Sequence, residues 1–332
     1  KPSDYFNTVL YTGNGGTQSI TGVGFAPNWV WGKSRSLTEG NAVHDTVRGV
    51  RKNILTNTTA AEEDIASITA FGSDGFTLGS NAHLNENNSS MVAWNWKAGS
   101  GTSTNTAGNG PDTTINVNQT VGFSIVTWTG NGDAHTFGHG LGANADVVIV
   151  KNRGSGSSSA WYVNHISVAN TKTLFLNTTA AETTSGIWGN SAPDSNTFKF
   201  DTDNTDNFVA YCFAEKKGYS KFSSYTGNGS TDGTFVYTGF KPAWVMVKRT
   251  DTTNDWKIID NKRATFNVAG KTLKANSSNA EDGTENYYDF CSNGYKIRNS
   301  AGAVNASGGT YIYMAFAENP FVTSTGVPAT AR

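Results

Sequence analysis

The chain is short of cysteine, charge and long apolar runs, and each shortage removes a class of protein. Two cysteines, Cys212 and Cys291, stand among 332 residues, too few for a disulfide scaffold. They fall in different parts of the chain at non-matching positions, so buried free thiols are expected. Charged residues make up 15% of the chain and the formal net charge is −1. That balance gives no basic footprint, and no nucleic-acid partner is expected. No apolar run reaches the roughly 18 residues of a spanning helix, so no membrane insertion is expected. There is no Gly-x-Ser-x-Gly elbow, phosphate loop or zinc-spaced Cys/His set. No cofactor and no catalytic residue are therefore assigned. The chain opens at Lys1 without a methionine or secretory leader, which reads as a piece of a longer polypeptide.

Small polar residues and aromatics fill the gap, with 37 Gly and nine Trp. The clearest signal is a motif that returns three times. It reads Tyr11-Thr12-Gly13-Asn14-Gly15, Trp128-Thr129-Gly130-Asn131-Gly132 and Tyr225-Thr226-Gly227-Asn228-Gly229. An aromatic strand end followed by Asn-Gly is a strand running into a tight turn, because these residues tolerate positive φ. After each copy comes a hydrophobic strand ending in Lys33, Lys151 or Lys248. Next comes an Asn/Thr/Ala segment ending in Glu62, Glu182 or Glu281. Each block closes on Val92-Ala93-Trp94-Asn95-Trp96, Val209-Ala210-Tyr211-Cys212-Phe213 or Ile312-Tyr313-Met314-Ala315-Phe316. Landmarks in constant order mean one module written three times.

Strand signals recur every ten residues or so, and no helical period outlasts a turn. The expected fold class is all-β: three tandem β-sandwich modules, jelly-roll-like. The blocks are residues 1–98, 121–216 and 217–332, the last with a C-terminal tail. Residues 99–120, rich in Gly, Ser, Thr and Asn, read as a linker with a short strand near Thr114 to Val117. Only Glu215-Lys216-Lys217-Gly218 joins blocks two and three, so these are expected to pack closely and block one to sit apart. The lysine-terminated strands are apolar on both faces, as in a central strand. In the closing strands Val92, Trp94 and Trp96 share a core face, and Ala93 and Asn95 take the other. The segment at Thr59 to Glu62 is expected to form one helical turn.

Candidate chemistry is sparse. Asp45 and Arg48, with Asp260 and Arg263, form a repeated Asp-x-x-Arg that reads as a structural ion pair across a bend. The middle block has His165-Ile166-Ser167-Val168 there, as if the pair were dispensable. His44 and Asp45 are adjacent, hence on opposite faces of a strand and badly placed as a dyad. His139 lies in a Gly-His-Gly loop. Asp201, Asp203 and Asp206 alternate in a loop with oxygen ligands for calcium, but lack the glycine and distant glutamate of an EF-hand. A solvated hairpin loop is the plainer reading. Trp161 and Trp256 sit in polar surroundings; core or edge packing is the plainer reading, and they are the candidate binding residues because exposed aromatic faces stack on sugar rings. Block one has Asn41 at that place.

Several segments resemble a module repeated in virion proteins of tailed bacteriophages, marine and cyanobacterial ones especially. They are residues 5–15, Gly138-His139-Gly140-Leu141-Gly142, Tyr219-Ser220-Lys221-Phe222, Gly239-Phe240-Lys241-Pro242-Ala243-Trp244 and the ending from Pro320 to Arg332. The resemblance spans nearly the whole chain and implies a non-enzymatic tail-fibre or other virion surface component. It implies contact with other virion proteins and with host surface polysaccharide, and a homo-oligomer, a trimer by analogy with tail appendages. Its rivals are a capsid decoration protein, a polysaccharide depolymerase and a lectin-like adhesin. A depolymerase requires two acids facing each other across a cleft.

Overall fold

The computed structural model describes residues 1–154 and 159–320, so the tail from Phe321 to Arg332 lies outside the described residues. The protein is all-β, and its described helical pieces are Pro2–Asp4 and Ala82–Asn85. Each block builds one large antiparallel sheet and one small one. In block one the large sheet runs Phe6–Thr12, Ser90–Trp96, Trp29–Ser34, Ala42–Asp45, Lys52–Leu55, Glu63–Asp64. Block two repeats that order with Phe123–Thr129, Asn207–Phe213, Val147–Asn152, Trp161–His165, Lys172–Phe175 and Thr183–Thr184. Block three repeats it with Ser220–Thr226, Thr310–Pro320, Phe240–Arg249, Lys257–Asp260 and Leu273–Lys274. In all three the opening strand pairs with the closing strand, which pairs with the lysine strand.

Register makes the correspondence residue by residue. Lys33 faces Val92, Lys151 faces Val209 and Lys248 faces Ile312. The small sheets are Gln18–Ile20, Gly75–Leu78 and Ile68–Gly72 in block one, and Ala134–Gly138 with Thr197–Asp201 in block two. Block three has Phe235–Tyr237, Gly294–Ile297 and Tyr288–Cys291. In each block the wide sheet pairs its opening strand with its closing strand, continues by hairpins from the lysine strand, and carries a narrow sheet on one face.

The alternation along the closing strands explains how the blocks meet. Val92, Trp94 and Trp96, with Val209, Tyr211 and Phe213, and Ile312, Met314 and Phe316, all enter one common core. The intervening Ala93, Ala210 and Ala315 each enter a separate core under their own small sheet. The alanines at these positions leave room for the narrow sheet, and the central lysine strand of every large sheet is buried on both faces. The three large sheets thus turn their aromatic faces on one another. Trp29 stacks on Tyr211 at 4.5 Å, Phe6 stacks on Phe316 at 5.4 Å, and Trp96 meets Trp244 edge-on at 5.7 Å. Burying a large side chain of this kind stabilises by roughly 1.5–3 kcal/mol each, and the shared core collects such residues from all three blocks.

This arrangement corrects three expectations. Block one does not sit apart: its tryptophans pack against both other blocks. The short strand expected near Thr114 to Val117 is present as Thr113–Asn118, but residues 99–120 are not otherwise a free linker. Thr113–Asn118 pairs with Phe123–Thr129 and Ser103–Asn105 pairs with Thr113–Asn118, extending the second large sheet. Thr59 to Glu62 forms no helical turn; its carbonyls and carboxylate serve the neighbouring block instead.

Candidate functional site

The chemistry-bearing residues converge on the three seams between blocks, and the seams form a closed ring. The lysine strands begin it. Each strand is buried on both faces, and its lysine ammonium reaches the seam, where it donates to main-chain carbonyls. Lys33 Nζ donates to Ser34 O at 2.9 Å and to Ser278 O of block three at 3.0 Å. Lys151 Nζ donates to Ser159 O at 2.9 Å and to Thr59 O of block one at 3.2 Å. Lys248 Nζ donates to Asn254 O at 2.7 Å and to Thr179 O of block two at 3.0 Å. Burial pushes each of the three ammoniums down to about 8.

Trp161 and Trp256 belong to the same ring and are not surface residues. Both are buried, and each ring N–H crosses a seam: Trp161 Nε1 to Leu55 O at 3.0 Å, Trp256 Nε1 to Phe175 O at 2.9 Å. Core packing, the plainer reading, therefore holds, and neither ring offers a face to a ligand. The polar neighbours that suggested exposure are the loops of the adjoining block. Asn41 at the same place sends its amide to Lys274 O at 3.2 Å and Ser277 O at 2.8 Å. Leu55, Phe175 and Lys274 end corresponding strands, so three different side chains supply a donor to the corresponding edge of the neighbour.

The Asp-x-x-Arg pairs are the cores of four-residue networks. Asp45 and Arg48 are fully buried and ion-paired, and Asp45 accepts from Tyr211 Oη of block two at 2.8 Å. Arg48 goes on to Glu62 at 2.9 Å, which takes a two-pronged grip from Arg153 of block two at 2.9 Å. The third block repeats this against the first. Asp260 pairs with Arg263 at 2.6 Å and accepts from Trp94 Nε1 at 2.9 Å. Arg263 meets Glu281 at 3.0 Å, and Arg35 of block one grips Glu281 at 2.9 and 2.8 Å. Burial alone would raise the glutamates. The arginine hydrogen bonds and charges outweigh it and hold Glu62 and Glu281 below their usual range.

The seam between blocks two and three is built differently. His165 occupies the aspartate position and Val168 the arginine position. His165 Nδ1 accepts from Ser167 N at 3.1 Å, so the proton sits on Nε2, which faces Tyr313 O of block three at 3.2 Å. Burial drops its pKa to about 4 and keeps it neutral. The residue facing this seam, at the place of Tyr211 and Trp94, is Met314, which has no strong proton to give. The substitution in block two is thus matched to its partner and is not a dispensable pair lost.

The remaining candidates stand apart from the seams. His44 Nε2 lies 3.0 Å from Ser67 Oγ, and burial, then Arg48, takes its pKa to about 3. His139 ties a loop, accepting from Leu141 N at 3.1 Å and facing Asp194 O at 3.0 Å. Asp206 accepts from Asn152 Nδ2 at 3.0 Å, and Asp201 accepts from the main chain of Asp203 at 3.2 Å. Among the described residues, no group of three His, Cys, Asp or Glu side chains is placed to hold a metal ion. Cys212 and Cys291 are free thiols, the first buried. Sequence reasoning missed Arg35 and Arg153. Both stand two residues after a landmark lysine, where block three has Thr250, so the repeat itself carried the signal.

A family profile described as Domain of unknown function (DUF7483) matches residues 1–320, and the chain belongs to that family. No curated protein and no solved structure matches it.

Proposed function

We propose that this member of the DUF7483 family is a non-enzymatic surface component of a phage virion, a tail-fibre or appendage part that contacts host-surface glycan. In this reading the three blocks are copies of one module, closed into a ring. The observation that carries it is the ring itself: the repeated lysines, tryptophans, aspartates and arginines are spent on seams, each engaged with the neighbouring block. Such a construction supports a rigid particle whose loops and outer sheets meet the surroundings, and the bacteriophage resemblance supplies the setting. Weak contacts by modules held in fixed geometry gain through effective concentration.

All three seams are filled within one chain. A homotrimer of the kind the resemblance implies must therefore be built through loops or outer sheet faces. Mass measurement in solution distinguishes a particle of one 35.3 kDa chain from one of three.

Antibody labelling of intact particles in the electron microscope tests the setting. Label on the tail supports the proposal, label on the capsid shell makes the protein a decoration protein, and unlabelled particles overturn the virion reading. Purified protein is expected to bind host cells without shortening their polysaccharide. Release of reducing ends would reassign it as a depolymerase.

A further inference from the structure

The small sheets of the three blocks occupy corresponding positions, but their outward faces differ. In block three, Phe235 and Tyr237 flank the buried Val236 and are 43% and 59% exposed. Phe235 pairs with Lys296 and Tyr237 with Gly294. A Cβ built on Gly294 would come within 3.0 Å of Phe235 Cζ, so the Phe235 ring lies over the glycine. Tyr237 reaches back over the Gly239 turn, its Oη 3.5 Å from where a Cβ would stand. Two aromatic side chains are thereby laid on a glycine floor, about 7 Å apart at alternate strand positions.

Folding does not ask for them. Block one has Ser19 at the Phe235 place, opposite Thr77, and block two has Thr136, opposite Lys199. In block two Asn109 closes on that face, its Oδ1 accepting from Thr136 N and Oγ1 at 2.8 Å. Block three also carries Phe266 and Val268, 85% and 39% exposed, and the Asn267 side chain between them bonds the main chain of Phe290. Four of the eight large exposed apolar side chains among the described residues thus belong to this one small sheet and its margin. Such a concentration of exposed apolar surface marks a contact site.

We infer that this face is a binding site for an uncharged glycan, with Phe235 and Tyr237 as stacking rings. The C–H face of a pyranose packs on an aromatic ring while its hydroxyls need hydrogen-bonding neighbours. Those stand at the rim, already neutralised: Lys296 with Asp232 at 2.9 Å and Arg298 with Asp289 at 3.3 Å. Two internally balanced ion pairs offer donors and acceptors without net charge, which complements a neutral sugar and gives an anionic polymer no free cation. A second copy of the chain is the competing occupant, and it would show as a concentration-dependent dimer.

The site rests on the glycan-contact half of the proposed function, and its test separates the two. Cellohexaose, laminarihexaose and mannohexaose, with hexagalacturonate as the anionic control, are titrated calorimetrically into the full chain. At least one neutral hexasaccharide is expected to bind. The double variant Phe235→Ser, Tyr237→Thr, which installs side chains of the block-one type, is expected to weaken it at least tenfold, about 1.4 kcal/mol, with an unchanged unfolding midpoint. Equal binding by the variant, binding of the anionic hexamer alone, or binding of no sugar overturns the site. So does a concentration-dependent dimer that the variant abolishes. Host-cell binding retained by the variant fails the site and leaves the function standing, whereas absence of cell binding by the unaltered protein fails the function.

Discussion

Two seams carry a buried ion-pair network and the third carries a neutral histidine. The networked seams join blocks one and two, through Asp45, Arg48, Glu62 and Arg153, and blocks three and one, through Asp260, Arg263, Glu281 and Arg35. The plain seam joins blocks two and three, where His165 meets Tyr313 O and Thr250 O accepts from the main chain of Glu182. Six residues lie between strands at both covalent joins, Trp96 to Ser103 and Phe213 to Ser220, so tether length does not separate the seams. What differs is the facing side chain: Tyr211 and Trp94 each give a proton to a buried aspartate, whereas Met314 has none to give.

The comparison breaks most directly at the aspartates. Asp45→Ala or Asp260→Ala strands a buried arginine and is expected to cost about 3–5 kcal/mol, read from denaturant midpoints. His165→Ala leaves no charge behind and should cost less, closer to the ~1–3 kcal/mol of one unmet buried partner. Equal losses at Asp45 and His165 would remove the distinction between seams. Replacing Asp45 and Arg48 together by Leu and Met sharpens it further. The pair is expected to recover most of the single-variant loss, because no charge stays uncompensated.

Removing only a donor is milder. Trp161→Phe keeps much of the ring and loses the N–H to Leu55 O, for an expected loss of about 1–3 kcal/mol. Trp161→Asn, the residue type of block one, should retain the donor yet lose more, because Asn41 works in a pocket shaped for it. Tyr211→Phe leaves Asp45 its arginine and is expected to cost about 1 kcal/mol.

Acid should reveal the histidines before the carboxylates. His44 and His165 have folded pKa values of about 3 and about 4, below the ordinary histidine value. The unfolded chain therefore binds these protons first, and the stability the neutral forms permit is lost as pH falls from about 6.5 toward 4. His165→Gln should flatten that slope by about one proton. Glu62 and Glu281, held low in the fold, add a second loss at lower pH. The smallest effect is expected at the acidic loop: calcium should shift the unfolding temperature by less than about 1 °C, because Asp201 and Asp206 already have partners of their own. A larger rise would restore the calcium reading.

The sequence made much of this legible. Alternation in the closing strands placed Trp94, Tyr211 and Met314 on one face, and the lysine strands announced their burial. What covers that face was not legible. A strand apolar on both sides states that it is covered, never by what, so the shared core could not be told from three separate ones. Core packing, the plainer reading of Trp161 and Trp256, holds, but their polar sequence neighbours are seam loops, and the block each ring packs against was not legible. Asn41 looked like a departure because residue type was compared rather than the hydrogen each residue gives. Residues 99–120 looked like a linker because Thr and Asn serve an edge strand as readily as a loop.

The ring also has a mechanical reading. Phe6 and Phe316, near the two ends of the described chain, stack on each other across the seam between blocks three and one. Tension applied through those ends loads that seam directly, with the longer path through block two in parallel. The Asp260 network, the Arg35 clamp on Glu281 and the Lys33 and Asn41 bonds all stand where a pull would first try to part the ring.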